Sequence, residues 1–227
     1  MGAAFGVIRR TFIDWYDSMI LLAVLNLLWL LSVVTVVLFP PATAAMYAVA
    51  YEIAHEGSSS FSEFMQAGRR YFVKSWIWAL INLAVLVLAW SNIVFYGAQG
   101  TDLAAIVQMI FVILTIYWLI IQFYVWPFFM EQREKRVLLA LRNATLTALA
   151  APGFTVLMVV VVVALLVASV VFVLPAGVMT AAIITLMGVH AVTDRLVAFG
   201  KVQSPEDEAA PDAAEATAQG EGQDTEE

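Results

Sequence analysis

The chain has 227 residues, 63% of them hydrophobic, with a mean hydropathy of +0.89 and a formal net charge of −7. Soluble domains are roughly 45–50% apolar, so this composition excludes an ordinary soluble fold, and the absence of cysteine excludes disulfides and thiolate metal sites. The charge is local: residues 203–227 hold nine of the 18 acidic groups and no basic one, which leaves the rest net +2 with no patch suited to nucleic acid.

Phe5 to Tyr16 interleaves Arg9, Arg10 and Asp14 with apolar residues and reads as a helical lead-in. The apolar stretch Ser18 to Phe39 follows. At 1.5 Å per residue it reaches across about 30 Å of hydrocarbon, and it exceeds a signal-peptide core, so it reads as a retained span. Pro40-Pro41 suits a first helical turn and opens a shorter apolar segment, Ala42 to Ile53. Ser60 and Glu63 have capping-box spacing ahead of Phe61, Phe64, Met65 and Phe72, which recur near helical intervals beside Arg69 and Arg70 and predict an amphipathic helix in the headgroup layer.

Further spans are expected at Trp76 to Tyr96, Leu103 to Trp126, Phe154 to Leu174 and Ala176 to Val192. Between the middle pair and the last pair, Glu131 to Ala151 predicts a charged elbow and a helix ended by Pro152-Gly153. Beyond Lys201 no aromatic residue remains, so 203–227 is expected to be a disordered acidic tail outside a helical membrane domain at 1–202.

The basic residues decide how these pieces cross. If Ala42 to Ile53 returns the chain to its starting side, all eleven Lys and Arg residues share one face, and the opposite loops carry only Asp102 as a charge. Five crossings would split the N-terminal pair from Arg69, Arg70 and Lys74. The positive-inside rule therefore predicts an all-α polytopic helical membrane protein with six spans in three hairpins, the second span short and both termini cytoplasmic. A re-entrant or in-plane helix at Ala42 to Ile53 is the alternative.

Chemistry inside a membrane usually leaves ionisable residues within spans, because their cost is tolerated only for a purpose or a partner. No Asp, Glu, Lys or Arg lies in the centre of an expected span. His190, near the end of the last span, stands four residues before Asp194, a spacing that favours an interfacial His–carboxylate cap over a proton relay. Glu52, His55 and Glu56 have ligand-like spacing, but helix ends commonly collect polar groups, and no HExxH pattern, nucleophile elbow or phosphate loop is present. The expectation is no enzyme, no metal and no cofactor. Neutral polar residues remain: Asn26, Asn82, Asn92 and Gln122 serve either interhelical hydrogen bonds, the favoured reading, or a polar path for a small molecule.

Asp17, then Asn26-Leu27-Leu28-Trp29-Leu30-Leu31, then Pro41-Ala42-Thr43-Ala44-Ala45-Met46-Tyr47 resembles the bacterial YesL family, with Asn26, Trp29, Pro41, Ala42 and Thr43 as motif residues. Pro127 and Arg142-Asn143-Ala144 form a second, weaker patch. Pro40 stands where the family usually has Gly, and Val33-Val34 where a proline is common. The resemblance implies a multi-pass protein of the bacterial cytoplasmic membrane, found in the context of carbohydrate uptake, with no catalytic residues to carry over. The resulting expectation is a noncatalytic accessory protein that contacts the lipid bilayer and a carbohydrate transporter complex. The alternative is a small-molecule carrier or channel.

Overall fold

The computed structural model describes residues 2–171 and 175–202, apart from the side chains of residues 56, 170–171 and 175–178. The described residues form helices without strands: α1 (Gly2–Asp17), α2 (Met19–Thr35), α3 (Phe39–Glu56), α4 (Phe61–Arg70), α5 (Phe72–Gly97), α6 (Asp102–Glu131), α7 (Val137–Ala150), α8 (Pro152–Val171) and α9 (Pro175–Ala198). The chain divides into two compact units, Met1–Val192 and Thr193–Glu227. In the second unit, Asp194 pairs with Arg195 of the same helix, and Gly200 at φ 65° ends the helical path. The expected acidic tail and residues 172–174, at the end of the expected Phe154 to Leu174 span, fall outside the described residues.

Among the described residues, four helical segments are long and apolar enough to cross a membrane: Phe72–Gly97, Asp102–Glu131, Pro152–Ser169 and Met179–Ala198. The pair α1 and α2 passes the same test only together, and it is bent by 92° at Ser18. The N-terminal segment is thus a helix, as its pattern predicts, but it turns sharply instead of running straight into α2. Helix α2 stops at Thr35, four residues short of the expected end, where Val36 takes a left-handed φ of 56°. A β-branched residue is strained in that region, and the strain marks a tight reversal into α3.

Helix α3 is longer than the sequence pattern indicates. Pro40 and Pro41 lie in its first turn, where a missing N–H is harmless, and Gly57 at φ 72° closes its other end. It packs against α2, α4, α5 and α6. Every residue from Ala44 to Ala50 is buried, and four of those seven are alanines that let neighbouring helices approach. Helix α4 begins with the expected capping box: Ser60 Oγ accepts from the Glu63 N–H at 3.3 Å, while Glu63 accepts from the Ser60 N–H at 2.5 Å. It folds back along α3, so that a methyl group added at Gly68 would lie 3.8 Å from both the Pro41 carbonyl and Ala45 Cβ.

Helices α5 and α6 form an antiparallel hairpin whose two halves differ. Near its basic end, where Lys74 starts α5 and Arg133, Lys135 and Arg136 follow α6, residues Phe123 to Met130 are all buried. Toward the other end Leu83, Leu88, Ile106, Ile113 and Leu114 are exposed, the condition of side chains that face lipid. Helix α9 enters the buried half. Gly188 sits so close that a Cβ there would lie 3.1 Å from Pro127 Cγ and 3.3 Å from the Phe123 carbonyl. Tyr124 adds a hydrogen bond to Thr155 of α8 at 3.1 Å, and Tyr117 one to the Thr145 carbonyl of α7 at 3.0 Å.

Candidate functional site

The intramembrane polar residues sort by what they bond. On α5, Trp78 and Asn82 are one turn apart, and on α6 Trp118 and Gln122 have the same spacing. Trp78 Nε1–H donates to Gln122 Oε1, and Trp118 Nε1–H donates to Asn82 Oδ1, both at 3.0 Å. Each amide NH2 then donates to the carbonyl four residues back, Asn82 to Trp78 at 2.9 Å and Gln122 to Trp118 at 3.3 Å. The result is a reciprocal clasp that holds one register: Trp78 stands opposite Gln122 and Asn82 opposite Trp118. The same register brings Tyr71 opposite Phe129, and their rings meet edge-on at 5.3 Å. The indole partners went unread in the sequence, although the i, i+4 pairing of Trp with an amide on both helices was the available signal.

The other candidates are dispersed. Asn92 Nδ2 donates to the Leu88 carbonyl of its own helix at 2.8 Å. Asn26 is fully buried in α2. His190 is also buried, and its Nε2 lies 2.7 Å from Asp14 Oδ2 in α1 instead of reaching toward Asp194, so it ties the first helix to the last. Of the polar group at the end of α3, Glu52 accepts from Ser59 at 2.8 Å, and His55 Nε2 lies 3.5 Å from Glu131 Oε1. Tyr51 donates to the other oxygen of Glu131 at 3.5 Å. No cluster of three metal-binding side chains occurs among the described residues.

Two charged groups at the basic end are perturbed. Hydrogen bonds from Ser59 and then Ser60 hold the Glu63 carboxyl below its usual value, against a small opposing desolvation. Lys135 donates to the Met130 carbonyl; burial pulls its ammonium below the ordinary lysine value, Arg70 and Lys74 add to that, and Glu131 opposes it.

The motif residues that carry the family resemblance close the α2–α3 reversal. Trp29 Nε1–H donates to Thr43 Oγ1 at 3.0 Å, the Thr43 hydroxyl donates to the Phe39 carbonyl at 2.9 Å, and the Trp29 ring packs tilted on Phe39 at 5.6 Å. Pro41 offers its carbonyl to the close approach of Gly68, and Ala42 lines the space beside it. Residues 22–93 match the family model described as protein of unknown function, DUF624. This is the family that the sequence resembles. The DUF624 stretch takes in nearly all of α2, the whole of α3 and α4, and α5 through Ile93, and so contains the Trp29–Thr43 lock and one side of the clasp. Pro127 and Arg142 to Ala144 lie beyond it. Comparison with curated proteins and with solved structures gave no match.

Proposed function

We propose that the chain is a noncatalytic accessory protein of the bacterial cytoplasmic membrane that accompanies a carbohydrate-uptake complex. The observation that carries this reading is the α5–α6 clasp. Asn82 and Gln122, two of the four amides that a neutral polar path would use, have their side-chain oxygen and nitrogen bonded to the protein, and Asn92 bonds its own helix. Side chains committed to helix pairing offer little to a passing solute. The exposed apolar flanks of α5, α6 and α8 supply surface for lipid and for a partner's spans. The carbohydrate context comes from the family resemblance alone. Purification at native expression in mild detergent tests the reading: a transporter subunit is expected to co-purify, and recovery of the chain alone overturns it.

We also infer four crossings, α5, α6, α8 and α9, with α2 and α3 as a re-entrant hairpin on the basic side. Six spans in three hairpins remain the competing arrangement. A re-entrant hairpin and a pair of spans return the chain to the same side, so both keep Arg9, Arg10, Arg69, Arg70 and Lys74 together, with the termini cytoplasmic. Depth distinguishes them. Pro41 and His55 are about 21 Å apart along α3, yet a methyl group on Gly68, just ahead of the α5 start, would reach the Pro41 carbonyl, and His55 lies 3.5 Å from Glu131, at the α6 end. Tyr71 and Phe129 link those two places at one level of the hairpin. Such contacts support a helix that lies across the hairpin and not along it, with its backbone bonded internally or covered by protein. In this cysteine-free chain, Gln99→Cys is expected to label from outside intact cells and Val37→Cys is not. Outside labelling at both positions favours six spans.

A further inference from the structure

The reversal that brings α2 and α3 back to the basic end encloses a half-open cavity of about 480 Å³. Its walls are Leu28 and Leu31 of α2, Pro41 and Ala45 of α3, and Phe64 and Met65 of α4. Ser32 and Thr35 also line it, but Ser32 donates to the Trp29 carbonyl at 2.6 Å and Thr35 to the Ser32 carbonyl at 2.8 Å, so their hydroxyl protons are turned back onto α2. What they present to the cavity is almost entirely carbon. The cationic donor in the wall is Arg69.

Arg69 differs from its neighbours. Arg70 stands 6.0 Å over the Tyr71 ring and Lys74 5.8 Å over the Phe129 ring, whereas among the described residues no carboxylate lies within salt-bridge distance of Arg69. Arg69 is an exposed residue, and Phe61, Met65 and Phe72 are exposed apolar residues on and just after the same amphipathic helix. That combination belongs at the boundary between headgroups and acyl chains.

We propose that this groove holds one anionic glycerophospholipid, an acyl chain between α2 and α4 and the phosphate on Arg69. The chemistry on each side matches. A slot of this size with carbon walls takes a flexible hydrocarbon chain, and a planar guanidinium at its mouth grips a phosphate through two parallel N–H donors. The site lies wholly within the DUF624 stretch. It requires contact with a bilayer but is independent of any transporter partner.

Native mass spectrometry of the full chain, delipidated in detergent and titrated with phosphatidylglycerol or phosphatidylcholine of identical chains, tests the assignment. One phosphatidylglycerol is expected to bind with about fivefold preference, the factor that one basic side chain gives at an anionic surface. Arg69→Gln should abolish the preference while some binding of both lipids remains. Ala42→Trp, which fills the groove, should remove both adducts. Arg10→Gln, which changes the same charge elsewhere, should keep the fivefold ratio, and circular dichroism on each variant checks that the helices form. Equal binding of the two lipids by the unaltered chain, or a preference that survives Arg69→Gln, overturns the proposal. So does a dimer that Ala42→Trp dissociates with lipid adducts unchanged, because that outcome gives the groove to a second copy.

Discussion

Within α6, one helix of near-uniform hydrophobicity, Leu114 is 54% exposed and Trp126 only 2% exposed. The half that contains Leu114 is Leu-, Ile- and Val-rich, whereas the half from Phe123 to Met130 is aromatic and meets α3 through Tyr47 and α9 through Gly188. In water both halves would be buried by the hydrophobic effect, but lipid tails are as apolar as leucine and provide no such force between helices. What separates the halves is packing. Trp126 of α6 stacks on Tyr47 within the alanine-rich stretch of α3, and Gly188 of α9 comes close to Pro127 and the Phe123 carbonyl; small residues opposite large ones are what allow close contact.

The contrast is broken most directly at its aromatic centre. Trp126 stacks with Tyr47 at 6.4 Å and meets Trp78 and Phe129 edge-on at 5.5 and 5.1 Å. Trp126→Ala should destabilise the fold by about 3–5 kcal/mol in detergent unfolding titrations, because a large cavity opens in a packed interior. Leu114→Ala, a change of similar chemistry in the lipid-facing half, should stay within about 0.5 kcal/mol; equal effects at the two sites would dissolve the distinction. Next in size is Gly188→Ala, which adds one methyl group against Pro127 and the Phe123 carbonyl and should cost about 1–3 kcal/mol by the same assay.

Smaller effects refine the boundary between the halves, where the clasp lies. A double-mutant cycle on Trp118→Phe and Asn82→Ala should give a coupling of about 0.6 kcal/mol and not above about 2, the range of interhelical hydrogen bonds in membranes. Additive single effects would mean that the bond contributes nothing to pairing. The smallest effect is local to α4. The Glu63 pKa is lowered in the fold from an ordinary value of 4.5, so its stabilising contribution is full above that value and is lost as pH falls through the lower folded one. Amide-exchange protection in α4 should therefore hold above pH 4.5 and decline below it, and Glu63→Gln should flatten that dependence.

Much of this architecture is legible from local pattern. The four long spans follow from runs of apolar residues, α4 from Ser60 and Glu63, and the α7–α8 boundary from Pro152-Gly153, because each depends on neighbours a few residues away. The polar candidates were legible as a set but not as pairs. Asn82 and Gln122 stand out in any reading of α5 and α6, whereas their indole donors emerge only when two antiparallel helices are aligned. His190 shows the same limit. Its helical spacing points to Asp194, whereas the fold supplies Asp14 from the far end of the chain.

Sequence by itself determined that the chain is a helical membrane protein, since hydrophobic length is additive along a chain, and its charge asymmetry predicts an even number of returns. It could not fix how deep the second helix goes, because a shallow hairpin and two full spans give the same parity. What only the tertiary structure supplied is which segments meet: Gly68 comes near Pro41, and His55 lies 3.5 Å from Glu131, which are distances between segments and not properties of either one.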